Sequence, residues 1–248
     1  MAANFHGAVL LELALAVVTF LALRWITAPY GRHARPGWGP TLPARVGWAV
    51  MELPALLGFV ALFAASSGRG ERVPLLLGTL WVLHYSQRSL VFPARLPPTA
   101  RPVPLVVIAL GMVFNALNAP INAYWVAEAA RYPAGWLGDP RLIVGGVVFC
   151  AGLAINWHAD ALLLRLRRAG AYGVPQGGLF RWVSCPNYLG EMLEWWGWAL
   201  AAWSPAGVAF ALYTMANLIP RAAAHHRWYH QRFPDYPRDR RALVPLLW

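Results

Sequence analysis

Seven long hydrophobic runs alternate with shorter polar segments along the whole chain. The runs cover roughly residues 7–26, 46–66, 73–93, 103–129, 141–165, 187–203 and 206–230. A helix needs about 20 apolar residues to cross the hydrocarbon core of a bilayer. The segments between the runs are rich in proline and glycine, which is typical of loops. The pattern therefore predicts an all-α integral membrane protein with seven transmembrane helices.

The first run lies where a secretory signal peptide would also lie. Glu12 is inside this run, and its positive charge, Arg24, follows the apolar stretch. A signal peptide has the opposite arrangement, with basic residues ahead of its apolar region. We therefore expect a retained first transmembrane helix.

The composition also separates this chain from soluble proteins. It is 58% hydrophobic and 12% charged, whereas about a quarter of the residues in a soluble domain are charged. No polar block is large enough for an aqueous domain, so we expect a single membrane domain over residues 1–248. The two cysteines, Cys150 and Cys185, form no metal-ligand cluster in the sequence, and no metal site is expected.

The basic residues are all arginines, 21 against 10 acidic residues, for a net charge of +11. They are spread between the hydrophobic runs, which favours membrane lipid and an anionic ligand as partners over nucleic acid. With seven spans most arginines fall on one side, so the positive-inside rule places the N-terminus outside and the C-terminus in the cytoplasm.

The absence of lysine beside abundant alanine and glycine indicates a GC-rich, bacterial source. We therefore expect the bacterial inner membrane; in a eukaryote the expected location would be the membrane of the endoplasmic reticulum. Nothing in the sequence decides the oligomeric state, and a monomer is compatible with it.

Polar side chains occur within the predicted spans, where each charge costs about 2.5–3.5 kcal/mol on insertion scales. They are Glu52, His84, Tyr85, Arg88, Glu128, Asn156, His158, Asp160, Glu191, Glu194, Arg221, His225 and His226. This density predicts a polar cavity inside the helix bundle. The alternative is that these residues only pair with one another and hold the helices together.

Three C-terminal helices each carry a polar stripe, because their polar residues repeat at helical spacing. The stripes are Asn156, Asp160 and Arg167 on the fifth helix, Asn187, Glu191 and Glu194 on the sixth, and Arg221, His225 and Trp228 on the seventh. A glycine-rich segment, residues 172–180, and further arginines lie beside them. Backbone N–H groups and arginine forks both suit phosphate. We therefore expect a phosphate-bearing cofactor that enters from the cytoplasm.

Glu52 and Tyr85 lie in the predicted second and third helices. A protonated carboxyl and a phenol can both donate hydrogen bonds. Two donors aimed at one ketone oxygen would stabilise the enolate that forms when hydride adds to a conjugated enone. The alternative is a glutamate at a helix kink beside Pro54 and a tyrosine at the membrane interface.

Six segments together resemble the steroid 5α-reductase family. They are Glu52-Leu53-Pro54, His84-Tyr85 with Arg88, Asn156-x-His158-x-Asp160, Val174 to Phe180, Asn187 to Glu191 with Glu194-Trp195, and Arg221 to Tyr229. Their order and approximate spacing match this family from about Pro43 to the C-terminus. The chain looks most similar to the type 2 branch, as a bacterial member.

The resemblance implies a seven-helix oxidoreductase, a 3-oxo-5α-steroid 4-dehydrogenase. It would use NADPH to reduce the 4,5 double bond of a 3-oxo-Δ4 steroid or another lipophilic enone. Glu52 and Tyr85 would be catalytic and hold the ketone, within a substrate half of about residues 1–130. Hydride would pass to carbon 5, and the source of the proton for carbon 4 stays open. The implied NADPH-binding residues, mostly within a second half of about residues 141–248, are Asn156, Asp160, Arg167, Tyr172, Asn187, Glu191, Arg221, His225, Tyr229, Arg240 and Arg101.

Three other functions compete with this one. Isoprenylcysteine-type membrane methyltransferases carry a similar Pro-Asn-Tyr-x-Gly-Glu segment, although histidine usually precedes their proline, where this chain has Cys185. A diiron hydroxylase would need more histidine clusters than seven scattered histidines supply. A non-enzymatic sterol- or lipid-binding protein would use the cavity only to hold its ligand. Methyl transfer leaves Glu52 and Tyr85 unexplained, which favours the reductase.

Overall fold

The structure, a computed structural model, describes residues 2–168 and 173–247. Its helices are α1 (Ala2–Trp25), α2 (Ala44–Ala65), α3 (Arg72–Ser86), α4 (Phe92–Arg95), α5 (Leu105–Tyr124), α6 (Pro140–Arg168), α7 (Pro186–Ala202) and α8 (Pro205–Arg232). Each of the seven predicted runs coincides with a long helix, and the short α4 continues α3. The predicted all-α architecture is therefore confirmed for the described part of the chain.

Four helical stretches among the described residues have the length and hydropathy needed to cross a membrane. They are Asn4–Trp25, Ala44–Ala65, Leu105–Ala129 and Pro140–Arg168. α3 and α7 are shorter, with 15 and 17 residues, and α8 is long but more polar. These four stretches support an integral membrane protein. The count of seven spans and their orientation stay predictions.

Two helices continue through π-helical turns. α3 passes through Gln87–Val91 into α4, and α5 passes into Trp125–Ala129. A π turn inserts extra backbone into a helix and is frequent at functional sites. The first of these turns follows His84 and Tyr85 directly, and Arg88 lies within it. The hydrophobic pattern, which reports only the average helical repeat, contains no sign of either turn.

Short extended segments connect parts of the chain that are distant in sequence. Thr41–Leu42, just before α2, pairs antiparallel with Val103–Pro104, just before α5. Near the C-terminus, Ser184 N donates to Arg241 O at 2.8 Å. This bond holds the C-terminal tail against the start of α7.

An aromatic core fills the bundle where α2, α3, α7 and α8 meet. It contains Phe59, Trp81, Trp195, Trp198 and Phe210, with ring centroids 4.2 Å apart for Trp195 and Phe210 and 5.3 Å apart for Trp81 and Trp198. Trp81 Nε1 donates to the carbonyl of residue 55 at 3.0 Å, so its polar atom is satisfied inside the core. This core closes the bundle beyond the site described below.

A glycine interface, made of Gly145, Gly152, Gly190 and Gly197, joins α6 to α7. On each helix the two glycines are seven residues apart and therefore share one face. A Cβ added at Gly152 would lie 2.5 Å from Gly190 O, and one added at Gly145 would lie 2.6 Å from Gly197 O. Both distances are far below ordinary carbon contacts. The two backbones touch, which is the packing that small residues permit in membrane helices.

Candidate active site

A large cavity of about 590 Å³ opens between the helices, next to the aromatic core. Its wall comes from α1, the segment 26–33, α2, α3, α5, α6, α7 and α8. Its ionisable lining residues are Tyr30, Arg32, His33, Glu52, His84, Tyr85, Arg88, Arg101, Asp160, Arg167, Cys185, Tyr188, Glu191, Tyr213, Arg221 and His225. The predicted polar cavity is therefore present, and it gathers residues from both halves of the chain.

Glu52 and Tyr85 line this cavity from adjacent helices. Asn115 Nδ2 donates to Glu52 Oε2 at 3.3 Å and to Met51 O at 2.9 Å, which holds the carboxyl from α5. Tyr85 is 3% exposed, and its ring packs on Trp81 with centroids 5.0 Å apart. A carboxyl and a phenol thus face one enclosed space from supported positions.

A hydrogen-bonded chain lies on the wall formed by α6 and α7. Asn156 Nδ2 donates to Asn187 O at 3.0 Å, and Asn187 Nδ2 donates to Asp160 Oδ1 at 3.2 Å. Arg88 Nη1 donates to Asp160 Oδ2 at 3.4 Å from the π turn after α3. The chain connects α6, α7 and the π turn, and it fixes polar side chains of both halves relative to each other.

A second polar chain connects α7 and α8 to the segment before α2. Arg221 Nη2 donates to the Tyr188 hydroxyl at 3.0 Å, and that hydroxyl lies 2.9 Å from His225 Nε2. His225 Nδ1 in turn lies 2.7 Å from His33 Nε2. The Arg221 guanidinium also lies over the Tyr30 ring, 4.9 Å from its centroid. This wall carries positive charge and hydrogen-bonding groups toward the cavity.

The chain is similar in sequence to proteins of known activity. Residues 101–248 match the model of a family described as 3-oxo-5-alpha-steroid 4-dehydrogenase. The chain is 41% identical over 243 residues to 3-oxo-5-alpha-steroid 4-dehydrogenase 1 of Bos taurus, covering 96% of this chain and 94% of that protein. It is 41% identical over 239 residues to steroid 5-alpha-reductase DET2 of Arabidopsis thaliana, covering 93% and 91%. The human 3-oxo-5-alpha-steroid 4-dehydrogenase 1 is 36% identical over 241 residues, with 96% and 93% covered.

The chain belongs to the steroid 5α-reductase family. The predicted family is thereby confirmed. A place in the type 2 branch and a bacterial origin stay predictions.

Most residues that the family resemblance assigns to the cofactor lie on the cavity wall. Those that line it are Asp160, Arg167, Asn187, Glu191, Arg221, His225 and Arg101. Arg101 is exposed, and its Nη1 lies 3.5 Å from Ala34 O, so it belongs to the rim. Asn156 does not line the cavity but holds Asn187 from behind. Tyr172 lies outside the described residues.

Two assigned residues lie behind the wall rather than on it. Tyr229 is buried and stacks on Tyr236, with ring centroids 5.0 Å apart, beneath the Arg32 guanidinium. Arg240 is 2% exposed and donates to Pro175 O at 3.2 Å, which holds the glycine-rich segment in place. A Cβ at Gly178 of that segment would lie 2.6 Å from His158 Nε2, so this glycine packs against α6. In this structure these groups support the site from outside it.

Neither Arg32 nor the pair formed by His84 and Glu194 was predicted from the sequence to belong to the site. Arg32 lines the cavity, and its Nη1 is buried without a hydrogen-bond partner among the described residues. In the sequence, Arg32 is one of many arginines between the hydrophobic runs, and it contributed only to the prediction of membrane orientation. His84 Nδ1 lies 2.6 Å from Glu194 Oε1. His84 and Glu194 are both among the polar residues in the predicted spans. Sequence spacing does not indicate contact between residues 110 positions apart.

Proposed function

We propose that this protein is a membrane-embedded reductase that acts on the 4,5 double bond of 3-oxo-Δ4 steroids, with NADPH as its cofactor. The observation that carries the proposal is that Glu52 and Tyr85 share one cavity with an excess of arginines. Family membership supports the same reaction, since the relatives named above are steroid 5α-reductases. A 590 Å³ cavity is within the usual size range for small-molecule sites.

Glu52 and Tyr85 would hold the ketone oxygen of the substrate. Hydrogen bonds that strengthen as negative charge develops on that oxygen lower the barrier to hydride addition. The Asn115 amide keeps the Glu52 carboxyl in place, and the packing of Tyr85 on Trp81 keeps the phenol in place. Both donors are therefore oriented before substrate binds, which is the condition for effective electrostatic stabilisation.

The cavity lining also fits a phosphate-rich dinucleotide. Arginines outnumber carboxylates there, with Arg32, Arg88, Arg101, Arg167 and Arg221 against Glu52, Asp160 and Glu191. The buried, unpartnered Nη1 of Arg32 is a donor suited to an anionic oxygen. NADPH, when bound, supplies the hydride for carbon 5. The residues that we propose hold it from the cavity wall are Asp160, Arg167, Asn187, Glu191, Arg221, His225 and Arg101. Asn156, Tyr229 and Arg240 would support that wall from behind, and the family resemblance adds Tyr172.

The proposed topology follows the seven hydrophobic runs. Residues 1–130 would form most of the substrate half and residues 141–248 most of the NADPH half. Seven spans would place the N-terminus outside and the C-terminus in the cytoplasm, in a bacterial inner membrane, where NADPH is available to the arginine-rich end. A lipophilic enone partitions into lipid, so lateral entry from the bilayer is compatible with this topology, and so is a monomer.

The test is turnover by the purified protein. It is incubated with NADPH and a panel of enones, including progesterone-like and polyprenoid ones, and the products are examined by mass spectrometry. We expect one enone class to gain two hydrogens while NADPH is consumed. Saturable enone binding without any reduction would instead indicate a binding protein and overturn the proposal. Transfer of a methyl group from a methyl donor would indicate the methyltransferase.

A further inference from the structure

His84 and Glu194 form a buried pair beside the proposed substrate position. His84 Nδ1 and Glu194 Oε1 are 2.6 Å apart, and the side chains are 3% and 0% exposed. The two residues come from α3 and α7. A bond this short between a ring nitrogen and a carboxyl oxygen requires a shared proton, because two acceptors would repel each other.

The two members of the pair face the cavity unequally. His84 lines the cavity, whereas Glu194 lies behind it. The backbone of Glu194 belongs to the tight packing of α6 on α7, since a Cβ at Gly152 would lie 2.5 Å from Glu194 N. The second carboxyl oxygen of Glu194, Oε2, is buried without a hydrogen-bond partner in the described chain. The carboxyl can therefore influence a substrate only through the histidine.

Of the two ring nitrogens of His84, Nδ1 is engaged by Glu194, which leaves Nε2 for a ligand in the cavity that His84 lines. Because Nδ1 points to Glu194, the other ring nitrogen, Nε2, lies on the edge away from the carboxyl. The donating form of the pair carries two protons: one is shared between Nδ1 and Oε1, and the other is on Nε2, because a ring that accepts at Nδ1 keeps its own proton at Nε2. The ring is fixed by Trp195, whose ring meets it edge-on with centroids 4.6 Å apart. The pair is thus an oriented proton donor.

The other ionisable groups near His84 come from each neighbouring element. They are Glu52 on α2, Tyr85 on α3, Arg88 on the π turn, Asp160 on α6, and Glu191 on α7. Tyr85 follows His84 directly in the sequence and lines the same cavity. Carbon 4 of a 3-oxo-Δ4 steroid is bonded to the ketone carbon. A ketone held by Tyr85 therefore brings carbon 4 toward the neighbouring His84.

We propose that His84 delivers the proton to carbon 4, with Glu194 as the positioning residue that supplies the shared proton. The inference rests on the proposed reductase function. After hydride reaches carbon 5, the substrate is an enolate. Its carbon 4 forms a bond to the Nε2 proton, the Nε2–H bond breaks, and the shared proton moves fully to Nδ1. The pair gains the negative charge that the enolate loses, and a proton from water later restores it.

The test follows the proton directly, by turnover in D₂O. In the wild type we expect deuterium on a single face of carbon 4, because one oriented donor delivers it. In His84→Gln we expect deuterium on both faces, and product formation about a hundredfold slower than in the wild type. NADPH oxidation in a single turnover should then run ahead of product, with an unchanged NADPH Kd. Glu194→Gln should show a smaller rate loss and an altered pH profile.

Glu12→Gln is the matched control, because Glu12 is also a fully buried carboxyl but does not line the cavity. It should keep both the rate and the single-face delivery. If His84→Gln retains single-face deuteration while hydride transfer and product formation slow together, His84 is only structural and the inference is wrong. If the wild type reduces no enone at all, the proposed function fails first. Melting temperatures of the variants separate these outcomes from unfolding.

Discussion

The same two helices, α6 and α7, form both the tightest and the most open part of the molecule. On one face, Gly152 and Gly190 let the backbones touch, and a Cβ there would lie 2.5 Å from the opposite chain. On the other face, Asp160 and Glu191 line a cavity of about 590 Å³. One face admits no additional atom, and the other holds space for a ligand.

The difference shows that the glycine interface sets the geometry of the cavity wall. Gly190 lies against the backbone of Asn156, where a Cβ would be 2.6 Å from Asn156 N. This contact brings Asn156 Nδ2 within 3.0 Å of Asn187 O, and Asn187 in turn holds Asp160. Rigid packing on one face therefore positions polar groups on the other, as precise sites require.

The largest effect is expected from breaking the glycine interface. Gly152→Leu would place a side chain into the α7 backbone, and overpacking costs about 1–3 kcal/mol even where side chains can move. Because backbone cannot move aside, we expect loss of the folded protein, measured by thermal unfolding in detergent. Gly146→Leu is the matched control, since a Cβ at Gly146 meets nothing within 4 Å. Equal melting temperatures for the two variants would refute tight packing.

The next largest effect is expected inside the cavity, where folding should survive. Tyr85→Phe and Glu52→Gln each remove or weaken one donor to the ketone oxygen. Loss of such a donor typically costs about 10²–10³ in kcat. We expect this loss with an unchanged NADPH Kd, measured by steady-state kinetics and cofactor titration.

Tyr132→Phe serves as the control for Tyr85→Phe. Its hydroxyl donates to Ala202 O at 3.0 Å, outside the cavity. It should leave kcat near the wild-type value. Wild-type turnover by Tyr85→Phe would remove Tyr85 from the proposed chemistry.

A smaller effect is expected at the cationic wall. Arg167→Ala removes one cavity arginine and should raise the NADPH Kd about tenfold, which corresponds to about 1.4 kcal/mol. Arg165→Ala, on the same helix but exposed and away from the cavity, should leave the Kd unchanged. Isothermal titration with NADPH and NADH measures both affinities. If the two variants bind NADPH equally, Arg167 is not part of the site.

Sequence alone predicted the helices and most of the cavity lining because both depend on local spacing. Hydrophobic runs of span length mark the helices, and Asp160, Asn187 and Arg221 face the cavity as their stripes predicted. Glu194 differs from Asn187 and Glu191, which belong to the same polar stripe, because it does not line the cavity. It lies two turns beyond Asn187, where Trp195 and the aromatic core close the bundle, so it meets His84 instead of the cavity.

Contacts between distant segments could not be predicted in this way. Arg240 contacts Pro175 only because the tail folds back onto α7, and no local pattern encodes that return. The glycine interface, in contrast, carried a readable signal. Its glycines repeat every seven residues on two helices, which is the spacing of one helix face. Small residues at this spacing in apolar helices predict close packing.

The smallest effect is expected at the edge of the cavity, where His33 lies against His225. Burial and the neighbouring Arg32 lower the pKa of His33 from 6.5 to about 4. At pH values between these two, His33 is neutral in the folded protein and protonated in the unfolded chain. Between these values the unfolded state binds more protons, so stability falls as pH decreases from about 6.5 to about 4 and is fully present above 6.5. We expect His33→Gln to flatten this fall slightly and His6→Gln to leave it unchanged, measured as melting temperature against pH. An identical pH dependence in wild type and His33→Gln would show that folding does not lower the pKa of His33, and it would contradict the partly buried position of His33 against α8.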